Sequence, residues 1–280
     1  MAEPPPTPEE FLPHPDGQRW GAQRWGPTPA EAATKGYPPV LLLPGFTEDH
    51  SIFRATGATL GAAGYPTLAV DLPGQSHTPL RDKQPDLDAV ATWLVAGLRA
   101  WQPGPCVVVG HSMGGYLALA LAEVAPSQVK GLGLWHSAAA PDDPDMLAQR
   151  ERAQAFLHKH GSEVFAQGLI PQYFGAENKA LSAPAVALAA AQPPQALIQH
   201  LQWMARRPDR QPVLKQFAGP VLLLQGTEEP RYPRPLLEAE AAMPLHSTLR
   251  WVPAAHMGMY EAPEACHAEL ITWLDSHFQG

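Results

Sequence analysis

The sequence predicts an α/β protein: a mostly parallel central sheet of about eight strands, flanked by helices and interrupted by an inserted helical block. Three observations lead to this expectation. Short apolar runs recur without polar alternation, as in Val40-Leu41-Leu42-Leu43, Cys106-Val107-Val108-Val109 and Val221-Leu222-Leu223-Leu224. Such runs fit strands buried on both faces. Helical segments separate them, as crossovers between parallel strands require. Finally, the rhythm stops from Ala138 to about Phe217, in an Ala-rich helical stretch broken by Pro171, Pro184 and Pro193-Pro194. The expected core is therefore residues 1–139 and 218–280, with a helical cap inserted at 140–217.

Each element follows from local signals. Met1 to Glu10 is acidic and Pro-rich and reads as a frayed tail. Phe11 to Trp25 alternates around Pro15-Asp16-Gly17, the pattern of a hairpin. Pro27 to Pro39 reads as a loop, and Val40 to Leu43 as a strand ending at Pro44-Gly45. A helix over Ser51 to Ala63 is stopped by Gly64. Strand Thr67 to Val70 precedes an amphipathic helix over Asp86 to Trp101. Cys106 to Val109 is a strand, Ser112 to Ala125 a helix and Val129 to Trp135 a strand. After the insertion come strand Val221 to Leu224, helix Pro235 to Ala242, strand Ser247 to Val252 and helix Ala262 to Phe278.

Composition narrows the function classes. The chain has 280 residues, ample for one large domain. Its 19 basic residues against 27 acidic ones tell against a nucleic-acid surface. The nearest basic run, Arg206-Arg207-Pro208-Asp209-Arg210, reads as a solvated helix end. No apolar stretch is long enough to span a membrane, and the start lacks the basic and apolar regions of a secretory signal. Cys106 and Cys266 are far apart, which fits two reduced buried thiols and a cytoplasmic protein. There is no metal-ligand spacing, phosphate loop or nucleotide motif, so no cofactor is expected.

Chemistry concentrates at Gly110-His111-Ser112-Met113-Gly114, which fits G-x-S-x-G. It follows a strand and opens a helix, the context that motif requires. Small residues on either side let the backbone turn sharply, and the helix N-terminus favours developing negative charge. Together with Leu43-Pro44-Gly45-Phe46, Asp71-Leu72-Pro73-Gly74-Gln75-Ser76, Gly226 to Pro230 and Ala255-His256-Met257-Gly258, this resembles the α/β-hydrolase superfamily, in its cap-bearing, esterase-like branch. The resemblance covers about residues 18 to 278.

The resemblance implies that Ser112 is a nucleophile and His256, after the last strand, its base. His111 is expected to be packed behind the site, and the remaining histidines apart from His136 to be surface or structural. The acid should follow strand Val221 to Leu224. Glu229 stands there where the family usually has Asp, with Glu228, Asp142 and Asp143 as alternatives. The oxyanion hole is expected from the backbone N–H groups of Phe46 and Met113. Pro44 replaces the family's usual His, which removes a donor from the loop while leaving that of Phe46. His136, Phe165, Leu169, Trp203 and Met204 are expected to edge an apolar pocket, with Tyr173 and Phe174 nearby. A serine rather than an aspartate points to acyl transfer. The first expectation is hydrolysis of carboxylic esters with small to medium apolar acyl groups. Others are C–C bond hydrolysis, aminopeptidase-like hydrolysis, perhydrolysis and silent small-molecule binding. The expected partner is a small-molecule ester, with neither nucleic acid nor membrane, and the chain is expected to be a monomer or homodimer.

Overall fold

A computed structural model describes residues 10–13, 17, 19–76, 78–80, 85–102 and 104–279. The tail up to Glu9 and the turn residues Pro15-Asp16 lie outside the described residues. Eight strands form one sheet: β1 (Glu10–Pro13), β2 (Arg19–Trp25), β3 (Val40–Leu43), β4 (Thr67–Val70), β5 (Cys106–His111), β6 (Val129–Trp135), β7 (Val221–Gly226) and β8 (Ser247–Val252). Their order is β1-β2-β4-β3-β5-β6-β7-β8. β1 with β2 and β2 with β4 pair antiparallel, and the remaining neighbours pair parallel.

The helices are α1 (Pro29–Ala33), α2 (Arg54–Ala62), α3 (Leu87–Trp101), α4 (Met113–Val124), α5 (Pro144–Leu169), α6 (Ala183–Ala191), α7 (Pro194–Arg206), α8 (Gln211–Gln216), α9 (Arg234–Ala241), α10 (Gly258–Glu261) and α11 (Pro263–Phe278). α1 falls where the sequence suggested only loop. Its signal is a capping box, Thr28 with Glu31, and Pro29 in the first turn. The predicted helix from Ser51 divides into a 3₁₀ turn, His50–Phe53, and α2, because Asp49 caps the turn at Ser51.

Period-two geometry sorts the strand side chains into two cores. In β3, Leu41 and Leu43 join α3, α4 and α7 on one face. Val40 and Leu42 join Leu60 of α2 and Leu270, Trp273 and Leu274 of α11 on the other. This explains the unbroken apolar runs. β3 lies between β4 and β5, so successive crossovers leave it in opposite directions. The crevice beyond the carboxyl ends of the strands opens at that switch point.

α5 to α8 come between β6 and β7. α5 is broken at Gly161, whose φ of 77° lies outside helical space. The start and finish of the insertion meet, since the Arg210 N–H donates to the Ala139 carbonyl at 3.1 Å. Glu240 of α9 accepts the N–H groups of Ala139 and Ala140, each at 2.8 Å. The run from Arg206 to Arg210 departs from the expectation of a solvated end. Arg207 and Arg210 are buried. Arg207 pairs with Asp142 at 2.6 Å, and Arg210 with Asp88 and Glu123. Acids from distant segments supply the partners, which local sequence does not reveal. No helix among the described residues is long and apolar enough to cross a membrane. Cys106 and Cys266 are free and buried.

α7 docks onto the core through His200, whose ring N–H at Nε2 donates to the Pro73 carbonyl at 2.8 Å. Burial lowers the His200 pKa to about 4. The unfolded chain therefore takes up a proton at His200 near pH 6.5, whereas the folded chain does so only near 4. Stability is lost as pH falls through that window, by about 2 kcal/mol at pH 5 from this residue. His200→Gln keeps a donor but cannot titrate. Urea unfolding at pH 7 and pH 5 should show a smaller stability difference in the variant than in the wild type.

Candidate active site

Ser112 sits between β5 and α4 with φ 50° and ψ −114°. An L-residue adopts this strained conformation only when its surroundings impose it. Here the strand-to-helix turn packs backbone against backbone. A Cβ at Gly110 would overlap the Gly114 carbonyl, and one at Gly114 would overlap that of Leu43. The Ser112 N–H donates to the Trp135 carbonyl at 2.9 Å, and Ser137 Oγ–H donates to the Ser112 carbonyl at 2.8 Å.

Ser112 Oγ lies 3.0 Å from His256 Nε2, and His256 Nδ1 lies 2.9 Å from both oxygens of Glu229. The backbone around His256 is held on every side. Its N–H donates to the Tyr173 carbonyl at 2.9 Å, and its carbonyl accepts from His111 Nε2 at 2.9 Å. The flanking N–H groups of Ala255 and Met257 donate to Glu261 Oε1 at 3.1 and 3.2 Å. Burial pushes the Glu229 carboxyl up, but the charge and hydrogen bond of the His256 imidazole pull it further down, well below the usual carboxylate range. It is therefore ionised at neutral pH. The alternative acids are placed differently: Glu228 is exposed, and Asp142 is held by Arg150 and Arg207.

Phe46 and Met113 follow the ends of β3 and β5. Among the described residues, neither backbone N–H donates to another protein group. The loop bearing Phe46 has a support that the sequence reading missed. Glu48 is buried, accepts the Gly45 N–H at 2.5 Å and lies 2.9 Å from His111 Nδ1. Gln75 Nε2–H donates to the Gly45 carbonyl at 2.9 Å. His111 thus has an acceptor at each nitrogen, so both carry protons and the ring is an imidazolium. Burial lowers its pKa, yet the Glu48 charge and hydrogen bonds raise it overall. Glu48 and His111 together tie the Phe46 loop to the His256 loop. The pairing of Glu48 with His111 spans 63 residues and leaves no local signal.

The cavity over Ser112 is small, about 20 Å³. Phe46, Glu48, Tyr116, Arg150, Tyr173, Met204, Arg231, Tyr232 and His256 line it with Ser112. Of the five expected pocket residues, only Met204 faces it. Phe165 packs edge-on behind Phe46, Trp203 packs on His200, and Leu169 lies against the core. His136 is fully buried behind Glu229, with its Nδ1 accepting the Gly226 N–H at 3.1 Å. Burial lowers the His136 pKa to about 4, so the ring is neutral. Phe174 packs on Tyr260 instead of the cavity. The expected apolar wall is in fact rich in hydrogen-bond donors. Larger open grooves lie elsewhere, one between Trp25, Pro66 and Trp101 at the opposite end of β4. Asp49, His50 and Asp71 place possible ligand atoms within 4.8 Å of one another. However, Asp71 Oδ1 accepts from both the N–H and the ring of His50, and Asp49 Oδ1 accepts from Ser51, so the cluster braces its loop.

The family model described as Alpha/beta hydrolase family matches residues 40–269. The chain belongs to that family. It is 37% identical to the lipase LipV of Mycobacterium tuberculosis over 120 residues, 43% of this chain and 42% of that protein. It is 36% identical to an esterase of the same organism over 100 residues, 34% of this chain and 33% of that protein. The chain thus spans less than half the length of these curated relatives. A thermophilic esterase from Thermogutta terrifontis, solved with malate bound, superposes with a TM-score of 0.85 at 25% identity, covering 96% of this chain and 99% of that one.

The Glu48–His111 pair gives a test that leaves the reacting groups untouched. Glu48→Gln removes the countercharge of a buried imidazolium, and stability should fall by about 3 kcal/mol. Displacing the Phe46 and His256 loops should lower kcat about 10- to 100-fold. Chemical denaturation and steady-state kinetics of the variant measure the two effects.

Proposed function

We propose that the chain is a serine hydrolase of carboxylic esters, acting through Ser112, His256 and Glu229. The observation that carries this reading is the continuous hydrogen-bonded line from Ser112 Oγ through the two nitrogens of His256 to Glu229. Its lengths suit proton transfer between the serine and the imidazole. Similarity to proteins named lipase and esterase supports the choice of ester substrates.

In the proposed cycle, His256 Nε2 takes the Ser112 proton as Oγ attacks the ester carbonyl. Ionised Glu229 stabilises the resulting imidazolium and keeps Nε2 aimed at the serine. The free N–H groups of Phe46 and Met113 receive the oxyanion, which forms at the N-terminus of α4. The imidazolium then protonates the departing alcohol. Water, deprotonated by His256, releases the acid from Ser112. The inserted helices act as a cap, since Arg150, Tyr173 and Met204 close the cavity over the serine. A small cavity favours short acyl groups.

A fluorophosphonate probe should label Ser112 in the folded protein and fail with Ser112→Ala. A panel of p-nitrophenyl esters should show turnover that falls with acyl length. Glu229→Gln should reduce kcat by roughly 10²–10⁴-fold, while Glu228→Gln stays close to wild type. Absence of labelling would remove the enzyme reading, and turnover of amides or diketones without esters would remove the ester assignment.

A further inference from the structure

The charges around the cavity do not balance locally. Glu48 is matched by the His111 imidazolium, and Glu229 faces His256. Arg150 and Arg207 share one carboxylate, Asp142. Arg231, which also lines the cavity, has no carboxylate partner among the described residues. Its guanidinium donates to the Met146 sulfur at 3.1 Å and lies 5.6 Å from the ring centre of Tyr173. Its backbone is fixed, because the Arg231 N–H donates to Glu229 Oε1 at 2.8 Å. A guanidinium is always charged, and removing it from water without a counterion is unfavourable.

The neighbouring hydroxyls add to the asymmetry. Tyr116 and Tyr232 lie 2.5 Å apart through their oxygens. One of their two protons fills that bond. The other has no acceptor among the described residues and is left to donate toward the cavity both residues line. Tyr232 and Tyr173 are also ring neighbours of His256, at 6.1 and 5.3 Å, so this donor-rich wall borders the reacting groups. Among the described residues lining the cavity the one carboxylate, Glu48, is engaged by Gly45 and His111.

We propose that the site takes esters bearing a carboxylate a few atoms from the scissile bond, with Arg231 as the carboxylate's partner. The proposal rests on the serine-hydrolase reading and adds the substrate class. A planar guanidinium can hold a carboxylate through two parallel N–H donors, and Arg231, matched by no carboxylate among the described residues, suits one such group. The free tyrosine hydroxyl supplies a further donor. Arg150, already shared with Arg207, adds positive potential from the side of the insertion. Short dicarboxylic acid half-esters carry this charge a few atoms from the ester carbonyl.

The test compares monoethyl glutarate with its uncharged isostere, ethyl 4-carbamoylbutanoate, by following ethanol release. The wild type should favour the carboxylate by about 10- to 100-fold in kcat/KM, the effect of one charge-assisted contact. Arg231→Gln should collapse that ratio toward one, and Arg231→Lys should retain part of it. Equal or reversed preference in the wild type, or a ratio unchanged in Arg231→Gln, overturns the proposal. Fluorophosphonate labelling separates the two layers. No labelling of wild-type Ser112 means that the hydrolase reading has failed, and the proposal with it. If Ser112 labels but neither ester turns over, glutarate should protect it from the probe while glutaramide does not. Loss of that difference in wild type overturns the proposal, and its loss only in Arg231→Gln supports it.

Discussion

The close approach of three backbones holds the site together. Gly110 packs on Gly114, and Gly114 on the Leu43 carbonyl. This crossing of β5, α4 and the end of β3 leaves no space for side chains and forces Ser112 into the left-handed region. The serine is thereby lifted off the end of the sheet with the N-terminus of α4 behind it. Residues on β7 and β8 need only reach that point from adjacent strands, and parallel pairing brings their carboxyl ends to the same edge. A local steric requirement therefore sets where every other functional group must converge.

A second layer transmits that geometry. Glu48 and His111 are both buried, and each end of the pair grips a different loop. The His111 ring is the rigid spacer between the loop carrying the free Phe46 N–H and the loop carrying His256. Glu261 performs a related task from α10, taking N–H groups on either side of His256. The His256 side chain is left one freedom, rotation of its ring, and Glu229 restrains that. Pro44, at a position where a histidine is usual, can be accommodated because the loop is braced through Gly45 instead.

The sheet and the elbow were legible because their signals are local. Four-residue apolar runs mark strands buried on both faces, and Gly-x-Ser-x-Gly is contained in five residues. Ser112, His256 and Glu229 could be singled out by their positions after strands, and the structure brings them within hydrogen-bond distance. What escaped depends on partners far along the chain. Arg207 and Arg210 read as solvated because Asp142, Asp88 and Glu123 are distant in sequence. Phe165 and Trp203 are apolar in an apolar segment, a pattern that cannot separate packing from lining. Nothing local in the sequence marks Arg231 as a cavity residue. Only the cavity reveals what it faces.

The insertion leaves and rejoins the core at one place. Ala139 and Arg210 are bonded to one another, and Glu240 grips the outgoing strand end. The seventy residues between them, roughly, are thus attached like a module plugged into a single socket. Changes in their length or arrangement need not disturb the register of β6 and β7, which ends before the socket. Evolution can therefore rebuild the roof of the cavity while the floor stays constant. In such a molecule the roof over the cavity and the floor beneath it are separable parts of one chain.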